Sequence, residues 1–268
     1  MPYSAVDVDT SLHSKKMTPI KQIILALLTL YVSASLAQTA PTVAAASDLK
    51  FALEEIAANY KADKGQEVRL IFGSSGVLWQ QVKNGAPFSL LMSADEAYID
   101  DLSKNGLTVD KGSLYAIGRI ALLQKKGNPI KLGTDKDGLI KAITEAKKIA
   151  IANPEHAPYG RAAKEYLISM GVWDLAQPKL VFGENISQAT MFTLSGSADF
   201  AISAVSLAIS PQVQSQSIYI LIPDHWHKPL RQKMALIKNS SPNAKDFYQY
   251  LQEPKSQQIM SRYGFTTP

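Results

Sequence analysis

Residues 42–76 read TVAAASDLKFALEEIAANYKADKGQEVRLIFGSSG, and the changes of period within this stretch decide the fold. TVAAA is a short apolar run, a helix follows from about Asp48 to Lys61, and EVRLIF is a second short run ending in the turn Gly73-Ser74-Ser75-Gly76. The alternation continues outward from there. A helix from about Val77 to Asn84 leads to SLLMSA and another helix near Glu96 to Asn105. A second set begins at YAIGRIALLQKK. It runs through a helix near Gly138 to Ala146, KIAIA, a helix near Gly160 to Met170, LVFG, a helix near Ser187 to Leu194, and DFAISAV. Strands alternating with helices predict an α/β protein of mainly parallel sheets flanked by helices. Two sets in series predict two lobes, residues 38–116 with 222–268 forming the first and 117–221 the second. The chain then passes through SIYILIP, a stretch rich in His and Pro, and QKMALIK. One final amphipathic helix near Pro242 to Tyr263 is expected to close back onto the first lobe.

The 268 residues are 46% hydrophobic and carry 28 Lys and Arg, 23 Asp and Glu, and no Cys. That is enough apolar material for two moderate cores and too much for a disordered coil. Without Cys there is no disulfide framework, thiolate nucleophile, Cys-ligated zinc or iron–sulfur site, or lipid-modified N-terminal Cys. The net charge of +5 is spread along the chain with no basic stripe, so no nucleic-acid partner is expected.

Lys15, Lys16 and Lys21 precede an apolar run from Ile23 to Val32, which ends in Ser35-Leu36-Ala37. This is the layout of a secretory signal peptide cut ahead of Gln38, and Met17 would give a signal of ordinary length. A run of about ten apolar residues is half of what a bilayer-spanning helix needs. Removing residues 1–37 takes away three Lys and two Asp and leaves +4 of the +5.

Four places put a small or polar residue, or a sharp turn, after a predicted strand and before a predicted helix. They are Ala46-Ser47-Asp48, Gly73-Ser74-Ser75-Gly76, Ala157-Pro158-Tyr159-Gly160 and Gly183-Glu184-Asn185-Ile186. In an open α/β sheet such strand ends face the ligand crevice, and each helix start offers unpaired N–H groups and a positive dipole end. Two of these in each lobe can enclose one anion without Lys or Arg, because each hydrogen bond to a charged oxygen contributes about 1.5–3 kcal/mol. Ser47 and Ser75 can turn their hydroxyl protons toward such an anion. Plain N-capping is the alternative use of a Ser at a helix start.

VAAASDLKFALEEIAANYKADKG, FGSSGVLWQQVKNGAPFSLLMSAD, ANPEHAPYGRAAKEYLISMGVWD and the terminal SRYGFT together resemble the periplasmic molybdate-binding proteins of ABC transporters, the ModA family. The resemblance spans essentially the whole chain after the signal region. It implies a two-lobed type II periplasmic binding fold, molybdate or tungstate as the ligand, no cofactor, and a monomer in the periplasm serving a membrane permease and its ATPase. Carried over residue by residue, it assigns the anion to the hydroxyls of Ser47 and Ser75 and the backbone N–H groups of Tyr159 and Ile186, with Ser74 as neighbour. Members of the family often place a Tyr hydroxyl in the strand near DFAISAVS, where this chain has Ala204. Either the anion has one hydroxyl donor fewer, or Tyr159, Ser203 or Ser206 supplies a substitute; Tyr159 is favoured because a Tyr stands where a small residue would suffice. A cage of donors alone would disfavour monoprotonated phosphate, whose proton would lack an acceptor, and would exclude sulfate by size only. Hinge strands near Tyr115 to Ile117 and Ile218 to Ile222 are expected to absorb closure.

No residue is read as catalytic or as a metal ligand. Arg161 is expected on the solvent face of its helix, and Pro154-Glu155-His156 as a turn shaping the crevice wall. His225 and His227 lack a third partner for a metal. Three rival readings remain: the same fold carrying sulfate or another small anion, an exported hydrolase using Ser74 or Ser75, and a sensor reporting anion level to a membrane partner.

Overall fold

The computed structural model describes residues 40–266. The expected signal peptide lies outside these residues. Among the described residues no helix is long and apolar enough to cross a membrane.

Among the described residues ten strands form two sheets of five. The strands are β1 (Thr42–Ala46), β2 (Arg69–Gly73), β3 (Leu90–Ser93), β4 (Ser113–Gly118), β5 (Ile120–Lys125), β6 (Ile149–Ala152), β7 (Leu180–Gly183), β8 (Phe200–Ala204), β9 (Ser217–Leu221) and β10 (Leu230–Leu236). The longer helices are α1 (Lys50–Lys64), α2 (Ser75–Lys83), α3 (Glu96–Lys104), α4 (Lys136–Glu145), α5 (Pro158–Ser169), α6 (Ile186–Leu194), α7 (Pro242–Tyr250) and α8 (Pro254–Arg262).

The first sheet has the order β2-β1-β3-β10-β4 and the second β7-β6-β8-β5-β9. In each sheet a parallel trio meets one reversed strand, β10 in the first and β5 in the second. The sheets are therefore mixed, with four strands running one way and a single strand against them. The two lobes repeat one plan. In each trio the strand that comes first in the chain, β1 or β6, lies between the next two, so the chain steps to one side of it and then crosses over to the other, and the strand ends open onto a crevice.

The period of two along β1 sorts its side chains between two helical layers. Ala44 joins Leu91 and Ala235 against Leu78 and Val82 of α2 and Ile99 and Leu102 of α3. Val43 and Ala45 face the other way, into the core with Leu53, Ile56 and Tyr60 of α1. Phe247 and Tyr250 of α7 and Ile259 and Met260 of α8 complete that layer. The final helix expected from sequence is thus two, broken before Pro254, which lacks an N–H and disfavours helix at the preceding residue. In the second lobe Ile149 to Ala152 of β6 pack with α4, α5 and α6.

YAIGRIALLQKK, one run in the sequence, is split at Arg119 into β4 of the first sheet and β5 of the second. A second crossing runs from the end of β9 through Ile222 to the start of β10 at Leu230. The last residue of β4 is Gly118, where a Cβ would run into the Tyr159 hydroxyl.

Candidate functional site

The parallel pairs β1/β2 and β6/β7 end in matched register, Ala46 beside Gly73 and Ala152 beside Gly183. Each of these four ends feeds a helical start, and the starts converge across the crevice. Ser47, Ser74, Ser75, Tyr159 and Ile186 line one small cavity together with Asp48, and all six residues are buried.

The serines there are not plain caps. Ser47 opens a 3-10 turn, Ser47–Leu49, whose N-cap is Ala46, and the Ser74 side chain at the N-cap of α2 makes no capping bond. The Ser47 hydroxyl instead accepts the N–H of Ser187 at 3.2 Å, and the Ser75 hydroxyl accepts the N–H of Ala94 at 2.9 Å. With the acceptor side of each oxygen engaged and no acceptor assigned to either proton, both hydroxyls are set to donate. Tyr159 and Ile186 occupy the first turns of α5 and α6, and their N–H groups, like that of Ser75, have no hydrogen-bond partner among the described residues. Asn185 caps α6 through the N–H of Gln188 at 3.1 Å and leaves that of Ile186 free. This is a set of donors aimed at a charged oxygen.

Three other residues of the expected set have different partners. Ser74 bridges the lobes, donating to the His156 carbonyl at 2.6 Å with the His156 Nδ1 at 2.8 Å. Ser203 bonds the Thr190 hydroxyl at 2.6 Å behind α6, and Ala204 is fully buried in the second lobe's core; neither lines the cavity. Ser206 donates to the Asp48 carbonyl at 2.7 Å. The Tyr159 hydroxyl, expected to substitute for a missing anion donor, donates instead to Asp48 Oδ2 at 2.9 Å. Its proton is committed within the protein, and only its N–H remains for a ligand.

The lobes are closed upon one another. The N–H of Gly76 donates to the His156 carbonyl at 2.9 Å, and Ser187 Oγ to the Ser47 carbonyl at 2.8 Å. Arg161, expected on the solvent face, instead reaches across to Asp95 and to the Tyr98 hydroxyl, because its first-turn position on α5 overhangs the start of α3. His227 turns Nδ1 to the Lys228 carbonyl, and no metal-ligating cluster exists among the described residues.

Sequence reasoning missed the centre of the interlobe seam. Asp48 is 1% exposed, with Oδ2 also accepting from Gln232 Nε2 at 2.6 Å, while Tyr115 donates to Gln232 Oε1 at 2.7 Å. Burial pushes the Asp48 carboxyl up to about 6, against the opposing pull of the Gln232 and Tyr159 donors. Burial beside this carboxylate also pushes the Tyr159 and Tyr115 phenols well up. The one available signal was a charged residue inside a strand-end turn.

Two α/β lobes that close on a cavity walled by helix starts define a two-lobed solute-binding protein. The chain belongs to the bacterial extracellular solute-binding protein family, whose model matches residues 41–266. It is 33% identical to the molybdate-binding protein ModA of Rhodobacter capsulatus, over 80% of this chain and 83% of that one. It is 32% identical to ModA of Escherichia coli K12, over 84% and 88%. The solved periplasmic molybdate-binding protein of Azotobacter vinelandii superposes with a TM-score of 0.77 at 29% identity, covering 85% of this chain and 99% of that one. The sulfate-binding protein SubI of Mycobacterium tuberculosis, at 17% identity and a TM-score of 0.71, shares the fold.

Proposed function

We propose that the protein captures molybdate or tungstate in the interlobe cavity, in the periplasm, and delivers it to the permease and ATPase of an ABC transporter. The observation that carries this reading is the convergence of two buried hydroxyls with unassigned protons and three unpartnered N–H groups on one cavity. A dehydrated tetrahedral oxyanion needs such donors on several sides, and no Lys or Arg lines the cavity to supply charge. The molybdate-binding relatives point to the same ligand class. No chemical step is involved. Binding holds the lobes together, and the closed form presents a surface that a transporter can distinguish from the open one. The reading takes the protein as a monomer, and a cavity lined by residues of one chain supports it.

Thermal unfolding with and without molybdate, tungstate, sulfate and phosphate tests the reading. A ligand at a hundred times its dissociation constant adds about 2.7 kcal/mol. Molybdate and tungstate are expected to raise Tm while sulfate and phosphate leave it in place. A shift with sulfate alone, or with none of the four, overturns the assignment.

A further inference from the structure

Asp48 puts a carboxyl group into a cavity otherwise built from donors. Oδ2 already accepts from Tyr159 and Gln232, whereas Oδ1 is buried with no well-formed hydrogen bond among the described residues, the nearby N–H groups of Asp48 and Leu49 exerting only a small pull toward the ionised form. The groups facing it from each packed element are neutral: Tyr159 from α5, Gln232 from β10 with Tyr115 from β4 behind it, and Ser206 from the turn Val205–Ala208. None of the groups that act on the carboxyl is a cation. The neighbouring cations have other partners: the Lys50 ammonium lies 5.6 Å from the centre of the Phe51 ring, and Arg119 donates to the Ile222 carbonyl. An ionised Asp48 beside a doubly charged oxyanion would leave two like charges in one water-excluded space, with an acceptor atom facing acceptor atoms.

We propose that Asp48 is a specificity-determining residue of the anion site: it enters the complex as the neutral acid and donates its Oδ1 proton to an oxyanion oxygen, so that each dianion captured takes up one proton. This rests on the molybdate reading above. The proton comes from solvent and stays on Oδ1, and no bond of the anion breaks. The upward displacement of the carboxyl by burial acts in the same direction. The cavity is then not a cage of donors alone. It has room for one proton, which either the carboxyl or a monoprotonated anion can carry, so discrimination against phosphate falls to size and not to a missing acceptor.

The test is calorimetric titration of the full chain with molybdate, in buffers of different ionisation enthalpy, between about pH 6 and 8. The expected result is proton uptake that rises toward one per anion above about pH 7, where the carboxyl is ionised before binding, and a dissociation constant that rises with pH. Asp48→Asn, whose Nδ2 group donates without a proton from solvent, is expected to bind with no uptake and no pH dependence. Tight binding without proton uptake by the natural protein, or unchanged uptake in Asp48→Asn, overturns the inference alone. Absence of molybdate binding at every pH overturns the functional reading and this inference with it. If Asp48→Asn does not fold, the infrared difference spectrum of the natural protein on adding molybdate decides. A new protonated-carboxyl C=O band supports the inference, and its absence overturns it.

Discussion

The two walls of the cavity offer donors of different kinds. The first lobe presents side-chain hydroxyls, Ser47 and Ser75, each with its acceptor side filled by a backbone N–H. The second lobe presents main-chain N–H groups, those of Tyr159 and Ile186 at the starts of α5 and α6. A hydroxyl is a property of the residue and can be deleted with one atom. A main-chain donor is a property of position, held by the helix start whatever side chain stands there. One wall is therefore open to ordinary substitution and the other is shielded from it.

The largest effect should come from holding the walls apart. Gly76 lies where α2 abuts the second lobe, and a Cβ there would stand 2.6 Å from the His156 carbonyl oxygen and 2.8 Å from the Tyr98 hydroxyl. Gly76→Ala is expected to weaken molybdate binding by about 3 kcal/mol or more, about a hundredfold, through overpacking and loss of the Gly76 to His156 bond. With the lobes separated the His156 carbonyl is withdrawn and the Tyr98 hydroxyl, the end of a rotatable side chain released from Arg161, can swing aside, so the stability without anion should stay within about 1 kcal/mol of the natural protein's. A variant that binds normally would show that the lobes need not approach this closely.

Next come the donors themselves. Ser47→Ala and Ser75→Ala should each raise the dissociation constant by about 10- to 100-fold, the worth of one hydrogen bond to a charged oxygen. The second wall needs a substitution that removes an N–H. Ile186 is the first residue of α6, a position that tolerates Pro, and Asn185 before it is extended, with φ −146° and ψ 174°, as a residue preceding Pro must be. Ile186→Pro should lose as much affinity as Ser75→Ala when measured against Ile186→Ala, which keeps the N–H. Equal binding by the two Ile186 variants would remove the main-chain donor from the site.

The same contrast explains what could be read from the sequence. The architecture was legible because TVAAA, EVRLIF, KIAIA and LVFG are short apolar runs followed by turns, and those turns are the cavity walls. Sequence shows where a wall is but not which atom on it is free. Ser74 and Ser75 differ by one step around a helix start, and that step sends one hydroxyl to His156 and the other to the cavity. Asp48 stood in the first turn in plain view. Its role depends on Tyr159 and Gln232, which lie 111 and 184 residues away in the chain, and no local pattern reports a contact of that range. Within YAIGRIALLQKK the expected lobe boundary after residue 116 falls three residues before Arg119, where the chain changes sheet, since residues that continue as strand give no local mark of the change.

The smallest effect is expected at Tyr159, where a side chain and a main-chain donor share one residue. Tyr159→Phe leaves the N–H in place and removes only the bond to Asp48 Oδ2, while Gln232 keeps its own. The affinity should fall by about 0.5–1.5 kcal/mol, the worth of a neutral hydrogen bond, and so by less than for either Ser. The pH profile should move as well. The Tyr159 donor holds the Asp48 carboxyl down against burial, so its loss raises that group above about 6. A carboxyl whose value is higher in the closed form than in the open one favours closure at low pH, and that advantage fades as pH rises through the closed-form value. The fall begins at the open-form value, which the variant leaves unchanged, and ends at the closed-form value, so in the variant the fall in affinity should extend to higher pH than in the natural protein. A loss as large as that of Ser75→Ala, with no displacement of the profile, would mean that the Tyr159 hydroxyl meets the anion directly, and the second wall would then be built partly of side chains like the first.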